Sequence, residues 1–199
     1  MNILDTVLNI RTLGSFRISA KGKPVAVDWP NETQKVLFCS LLSPLGESIS
    51  WDRISRSLWD IPATATTRFR LEETVIRPLT RFLITEFGFN PLIEGNEGMS
   101  VNLQYFDVDA LEFYKSAVEG FRLMSIGNYA AAFKRFRRAD ELYIGSYLPG
   151  MPGKVIADTR YDLDSLYRTA VKHAMPRIYN SGCSSGQKRE VHGMSLLAA

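Results

Sequence analysis

The chain has 199 residues, 45% hydrophobic and 23% charged, the balance of a soluble globular protein of one or two domains with room for a core. Its net charge is only +3, and no run of about 18 apolar residues suggests a membrane span. Cys39 and Cys183 are the only cysteines; two isolated thiols make neither a disulfide framework nor a metal site, so a reducing cytoplasm is the expected home. The first residues, MNILDTVLNI, lack the basic segment and long apolar run of a secretion signal.

Leu8, Ile10, Leu13, Phe16 and Ile18 fall on mostly alternating positions, which predicts a strand with a bulge at Gly14. Lys21–Pro24 reads as a turn, and Val25–Val27 as the second strand of a hairpin. A first helix opens at Pro30-Asn31-Glu32, presents Val36, Leu37, Phe38, Leu41 and Leu42, and closes at Pro44 and Gly46. Ile49 sits in a short extended piece. Ser50 caps a second helix over Trp51–Trp59, with Ile54, Leu58 and Trp59 inward, stopped by Asp60-Ile61-Pro62. A third helix follows Thr64–Thr67, with Leu71, Val75, Leu79, Phe82 and Leu83 as its apolar stripe and a kink or break expected near Thr74–Pro78. Gly88 ends it. Leu92 to Glu94 and Met99 to Leu103 then form a hairpin around Gly95–Gly98.

From Asp107 onward the pattern is helical. Val108, Leu111, Phe113, Tyr114 and Val118 mark one helix, and Tyr129 to Tyr143 the next, separated by Gly127-Asn128. Gly145 to Gly153 is a loop. Leu163 to Val171 mark a last helix limited by Pro176, and residues 181–199 read as a disordered tail. The predicted class is α+β: a small-sheet helical module followed by an all-α tetratricopeptide-like domain, with boundaries at 1–105, 106–178 and 179–199.

Enzymatic chemistry finds no support. His173 and His192 are the only histidines, and no zinc-protease, phosphate-loop or nucleophile-elbow motif occurs. No catalytic residue, metal ligand or cofactor is expected. Trp29, Trp51 and Trp59 read as core anchors, and Cys39 as a buried small hydrophobe. Lys134, Arg135, Arg137 and Arg138 form the densest basic run, suited to DNA, to an acidic partner or to a solvated helix face.

Several segments together resemble the antibiotic-regulatory type of bacterial transcription regulator. Leu13-Gly14-Ser15-Phe16 is similar to the family's Leu-Gly-x-Phe strand. Gln34-Lys35-Val36-Leu37 resembles the start of its first helix, Ile54 to Trp59 its second helix, and Gly98-Met99-Ser100-Val101 its wing. Phe106-Asp107-Val108-Asp109 with Phe113 looks like the entry to the bacterial transcriptional activator domain. Gly127-Asn128-Tyr129, Ala132, Ala139, Tyr143, Gly145, Leu148, Gly150, Arg160 and Leu163 are similar to that domain's pattern.

The resemblance implies an OmpR-type winged helix-turn-helix at 1–105 and a short activator domain at 106–178. In such a fold the third helix enters the major groove. Arg70, Thr74, Arg77 and Arg81 are then the groove candidates, and Lys35 and Arg53 the phosphate candidates. The implied partners are double-stranded DNA, RNA polymerase or another regulatory protein, and a second protomer. A second reading stays open. Residues 1–105 carry eleven basic and eleven acidic side chains, and Pro78, Glu72 and Glu73 depart from a basic recognition helix. Glu73 also lies four residues before Arg77, at ion-pair spacing. These features suit a signalling adaptor on a winged helix that no longer reads DNA.

Overall fold

The computed structural model describes residues 7–43, 45 and 47–179. Pro44, Gly46, the opening MNILDT and the tail at 181–199 with Cys183 and His192 lie outside the described residues.

The order is β1 (Leu8–Arg11), β2 (Arg17–Ala20), β3 (Lys23–Val25), α1 (Glu32–Leu42), β4 (Ile49–Ser50), α2 (Trp51–Trp59), α3 (Ala65–Leu71), a π-helical segment (Glu72–Ile76), α4 (Arg77–Phe87), β5 (Leu92–Glu94), β6 (Gly98–Val101), β7 (Phe106–Val108), α5 (Asp109–Ser125), α6 (Tyr129–Leu142) and α7 (Lys154–Tyr167), followed by a second π-helical segment (Arg168–Ala174). Among the described residues the chain is thus α+β with two small sheets. One has the order β3-β2-β1-β7 and the other β4-β6-β5. The contacts divide it into two units. One holds the chain up to Leu111 together with Gly145–Asp162, and the other holds Glu112–Ile144 and the chain from Leu163 on.

In the first unit the opening strands differ from the expected single bulged strand. β1 pairs antiparallel with β2, Leu8 opposite Ala20 and Arg11 opposite Arg17. Gly14 therefore lies in the turn between two strands, where its φ of 77° suits glycine. β2 then pairs with β3 across Lys21-Gly22, so Lys23 and Pro24 are strand residues rather than turn residues. Phe106–Val108, expected at the entry to the helical half, is a strand parallel to β1, with Leu8 opposite Phe106. Helix begins only at Asp109, whose carboxylate accepts from Thr12 N at 2.7 Å, Thr12 Oγ1 at 2.6 Å, Leu13 N at 3.1 Å and Ala110 N at 2.8 Å. Burial pushes this carboxyl above its ordinary range, and those four hydrogen bonds pull it back.

The helices start where local capping dictates. Asn31 accepts from Gln34 N, Ser50 from Arg53 N and Thr64 from Thr67 N. Leu37, Phe38, Leu41 and Leu42 of α1 are buried, as are Leu71, Val75, Leu79 and Leu83 along α3, the π-helical segment and α4. In α2 Ile54 is buried, whereas Leu58 and Trp59, expected inward, are only half-buried. Cys39 is buried in α1, as expected. Gly98 permits the close approach of β6 to β4, since a Cβ there would lie 2.0 Å from the Ile49 carbonyl oxygen.

The loop expected at Gly145–Gly153 crosses the first unit. Tyr147 is fully buried, bridges Leu13 and shares a 3.1 Å hydrogen bond with Ser43 Oγ. Arg160 of α7 closes the loop by donating to the carbonyls of Tyr147, Leu148 and Met151.

In the second unit α5 and α6 form a helical hairpin turned at Gly127, φ 77°. Gly120 lets the ring of Phe136 approach so closely that a Cβ would meet it at 2.4 Å. Tyr143 stacks on Tyr167 at 4.0 Å between ring centres and hydrogen-bonds Asp164. Pro176 does not limit the last helix, because residues 175–179 are helical. Each helix-interior proline follows a π-helical segment. Arg77 N bonds Glu72 O before Pro78, and Met175 N bonds Ala170 O before Pro176. The wider turn accommodates a residue with no N–H to give and a ring that crowds the preceding carbonyls.

Candidate nucleic-acid interface

The third helix is a continuous stretch of α3, the π-helical segment and α4. Its start is set by the α2–α3 turn. Asp60 ends α2 in the left-handed conformation, φ 58°. Asp52 accepts from Arg56 at 2.7 Å and from the backbone N–H of Ala63 at 3.2 Å. These bonds hold the Asp52 carboxyl below the usual carboxylate range. Thr64 then caps α3, and its hydroxyl meets that of Thr67 at 2.9 Å.

The four groove candidates lie on this stretch, but their environments differ. Arg70 is exposed, with its guanidinium 5.4 Å from the centre of the Trp59 ring. The Thr74 hydroxyl donates to the Arg70 carbonyl at 2.8 Å. Arg77 is held by two carboxylates, Glu73 at 2.6 Å and Glu72 at 3.1 Å. Arg81 is exposed and makes no ion pair among the described residues. The face is therefore mixed in charge, with free cations at its two ends and a neutralised one between them.

The two phosphate candidates stand on other elements. Lys35 of α1 pairs with Glu32 at 3.6 Å, and its side chain is 29% exposed. Arg53 of α2 pairs with Asp158 at 3.2 Å.

Sequence reasoning missed the residues that bind the third helix to the β5–β6 hairpin. The Trp51 indole N–H donates to Gly95 O at 3.2 Å and Asn96 O at 3.0 Å. Arg68 lies 4.6 Å over the Trp51 ring and reaches Asn96 O at 3.4 Å. Trp51 reads as a core anchor from its composition alone. Its polar edge meets a partner more than forty residues away, which no local pattern announces. Phe69, next to Arg68 and Arg70, is 65% exposed.

In the second unit Lys134, Arg135, Arg137 and Arg138 form an exposed face of α6. Arg137 and Arg138 share Glu141 at 3.4 and 3.8 Å. Among the described residues, no group of three His, Cys, Asp or Glu side chains is arranged to hold a metal ion, and no helix is long and apolar enough to cross a membrane.

These features define an α+β chain whose three-helix module with a closing β-hairpin is consistent with a winged helix joined to helical segments. The solved structure of Mycobacterium tuberculosis EmbR in complex with a low affinity phosphopeptide is similar in fold, with a TM-score of 0.67 at 16% sequence identity. The alignment covers 96% of this chain and 50% of that one, so this chain spans about half the length of that relative. No family model and no curated protein matches the chain.

Proposed function

We propose that this chain is a DNA-binding transcriptional regulator. Its winged helix, at 1–105, contacts promoter DNA through the third helix and the β5–β6 wing. The segment from 106 to 178, helical from Asp109 on, makes protein contacts, with a second protomer or with RNA polymerase. The observation that carries the reading is the third helix itself. It is exposed along Arg70, Thr74 and Arg81 and tied to the hairpin through Trp51 and Arg68. A helix presented beside a fixed hairpin is the arrangement by which winged helices occupy a groove and touch the flanking backbone. Lys35 and Arg53 have local acid partners, so on this reading each exchanges a carboxylate for a phosphate on binding.

A gel-shift titration of the full chain on duplex DNA at several salt concentrations tests the reading. The expected result is binding that weakens steeply with salt, because each phosphate contact releases counterions. No salt-sensitive binding to promoter-length duplex would overturn it.

One observation favours a second reading, a signalling adaptor that docks protein rather than DNA. Arg77, at the middle of the candidate face, is clamped by Glu72 and Glu73. The EmbR structure holds a phosphopeptide, which also supports a peptide or protein partner for a chain of this fold. The adaptor reading expects a stoichiometric protein complex that survives nuclease treatment, together with no DNA binding.

A further inference from the structure

Phe69 is an unusual residue for the outward side of a short helix. The residue is 65% exposed, although aromatic burial is among the largest contributions a side chain can make to a core. On α3 the inward position belongs to Leu71, which is buried, and Arg68 is drawn sideways onto Trp51. Thr66, Phe69 and Arg70 are left exposed. Thr66 and Phe69 are three residues apart, hence neighbours on one helix face, and Arg70 adjoins them. Phe69 also borders a cleft of about 490 Å³ that Ala65, Arg68 and Trp51 help to line.

This is a single ring set among a hydroxyl and two guanidinium groups, not a contiguous apolar patch of the kind that marks a protein-docking surface. The pattern fits the major-groove edge of a thymine. That base alone presents a methyl group there, beside a carbonyl acceptor, and the methyl is met by apolar side chains. Cations on either side suit the adjoining phosphates and guanine edges.

We propose that Phe69 is a specificity-determining residue that reads a thymine by its 5-methyl group. The inference rests on the DNA-binding reading and deepens it. The sequence preference of this chain is then set in part by an apolar contact from the first turns of the third helix, with Arg70 and Arg81 supplying the charge.

The test begins with selection of bound sites from a randomised duplex library by the full chain. Each thymine of the recovered site is next replaced by deoxyuridine, which removes only the methyl. The wild-type chain should lose about fourfold in affinity at one thymine, the loss expected for uncovering one methyl-sized group. Phe69→Ala should bind the unmodified site correspondingly more weakly and show no further loss with deoxyuridine, and Phe69→Leu should keep part of the effect. Both variants should retain the salt dependence of the wild type on unselected duplex, which shows that fold and electrostatic binding are intact.

Equal deoxyuridine effects in wild type and Phe69→Ala would overturn the proposal while leaving DNA binding standing. Loss of a stoichiometric protein complex in Phe69→Ala, with DNA preference unchanged, would overturn it in favour of a docking role. Absence of any salt-sensitive binding by the wild type would overturn the DNA reading first, and this proposal with it.

Discussion

Removing the two carboxylates that hold Arg77 should strengthen DNA binding, and the size of the gain follows from the geometry. Glu73 and Glu72 lie 2.6 and 3.1 Å from the Arg77 guanidinium, and all three side chains are more than a third exposed. Exposed pairs of this kind contribute about 0–1 kcal/mol each to stability. Glu72→Gln with Glu73→Gln should therefore leave the fold intact, with a melting temperature within about 5 °C of wild type. Binding responds differently, because the freed guanidinium becomes available to one phosphate. One added phosphate contact steepens the slope of log K against log salt by about 0.9, which corresponds to roughly eightfold tighter binding at 0.1 M salt. The assay is a fluorescence-anisotropy titration on a fixed duplex between 0.05 and 0.2 M salt (~ range of the counterion-release regime). Adding Arg77→Ala to the double variant should return the slope to near its starting value. An unchanged slope in the double variant, or a gain that persists without Arg77, would refute the reasoning.

Other expectations follow from single contacts. Trp51→Phe keeps the ring but removes the N–H that reaches Gly95 and Asn96, so amide exchange at residues 95–97 should accelerate severalfold with little change in global stability. Arg160→Ala strands three carbonyls of the Tyr147–Met151 loop; it should cost about 2–4 kcal/mol in urea unfolding, and Arg160→Lys should recover only part, lacking the fork. Burial pushes the Cys39 thiol and the Tyr147 phenol well above their ordinary values. Each is an acid with a raised folded-state pKa, so the unfolded chain releases these protons first. Stability should then fall as pH rises through about 8.5 for Cys39 and about 10 for Tyr147, by up to about 1.4 kcal/mol per pH unit for each group. Denaturation midpoints measured from pH 8 to 10.5 (roughly the window set by those ordinary values) check this, and Cys39→Ala should remove the earlier part of the decline. A midpoint independent of pH would contradict it.

The parts of the fold legible in the sequence are those governed by local chemistry. Asn31, Ser50 and Thr64 stand at helix starts because a short polar side chain there satisfies a free backbone N–H. Gly95 to Glu97 sits between two paired strands because the turn needs small and polar residues. What stayed hidden depends on distant partners. Phe106–Val108 carries no strand signal of its own and is extended because β1 offers it an edge. Asp109 looks like an acid placed for a helix dipole, yet its hydrogen bonds run to Thr12 and Leu13. At the candidate site the Glu73–Arg77 pair was legible from its spacing of four. The Glu72 contact was not, since a spacing of five comes into reach through the wider π turn.

That same turn acts as a one-residue phase shifter. A π segment holds more residues per turn than the α-helix around it, so Arg77 and Arg81 lie roughly 100° from where an uninterrupted α-helix would place them relative to Thr66, Phe69 and Arg70. A wheel drawn over the whole third helix therefore misassigns its outer face. Deleting one residue between Glu72 and Ile76 would tighten this turn to α-helical spacing and leave the C-terminal arginines near their present azimuth, whereas deleting one from the α-helix on either side would swing them by about 100°. The wider turn therefore sets the direction in which the C-terminal cations point independently of their number.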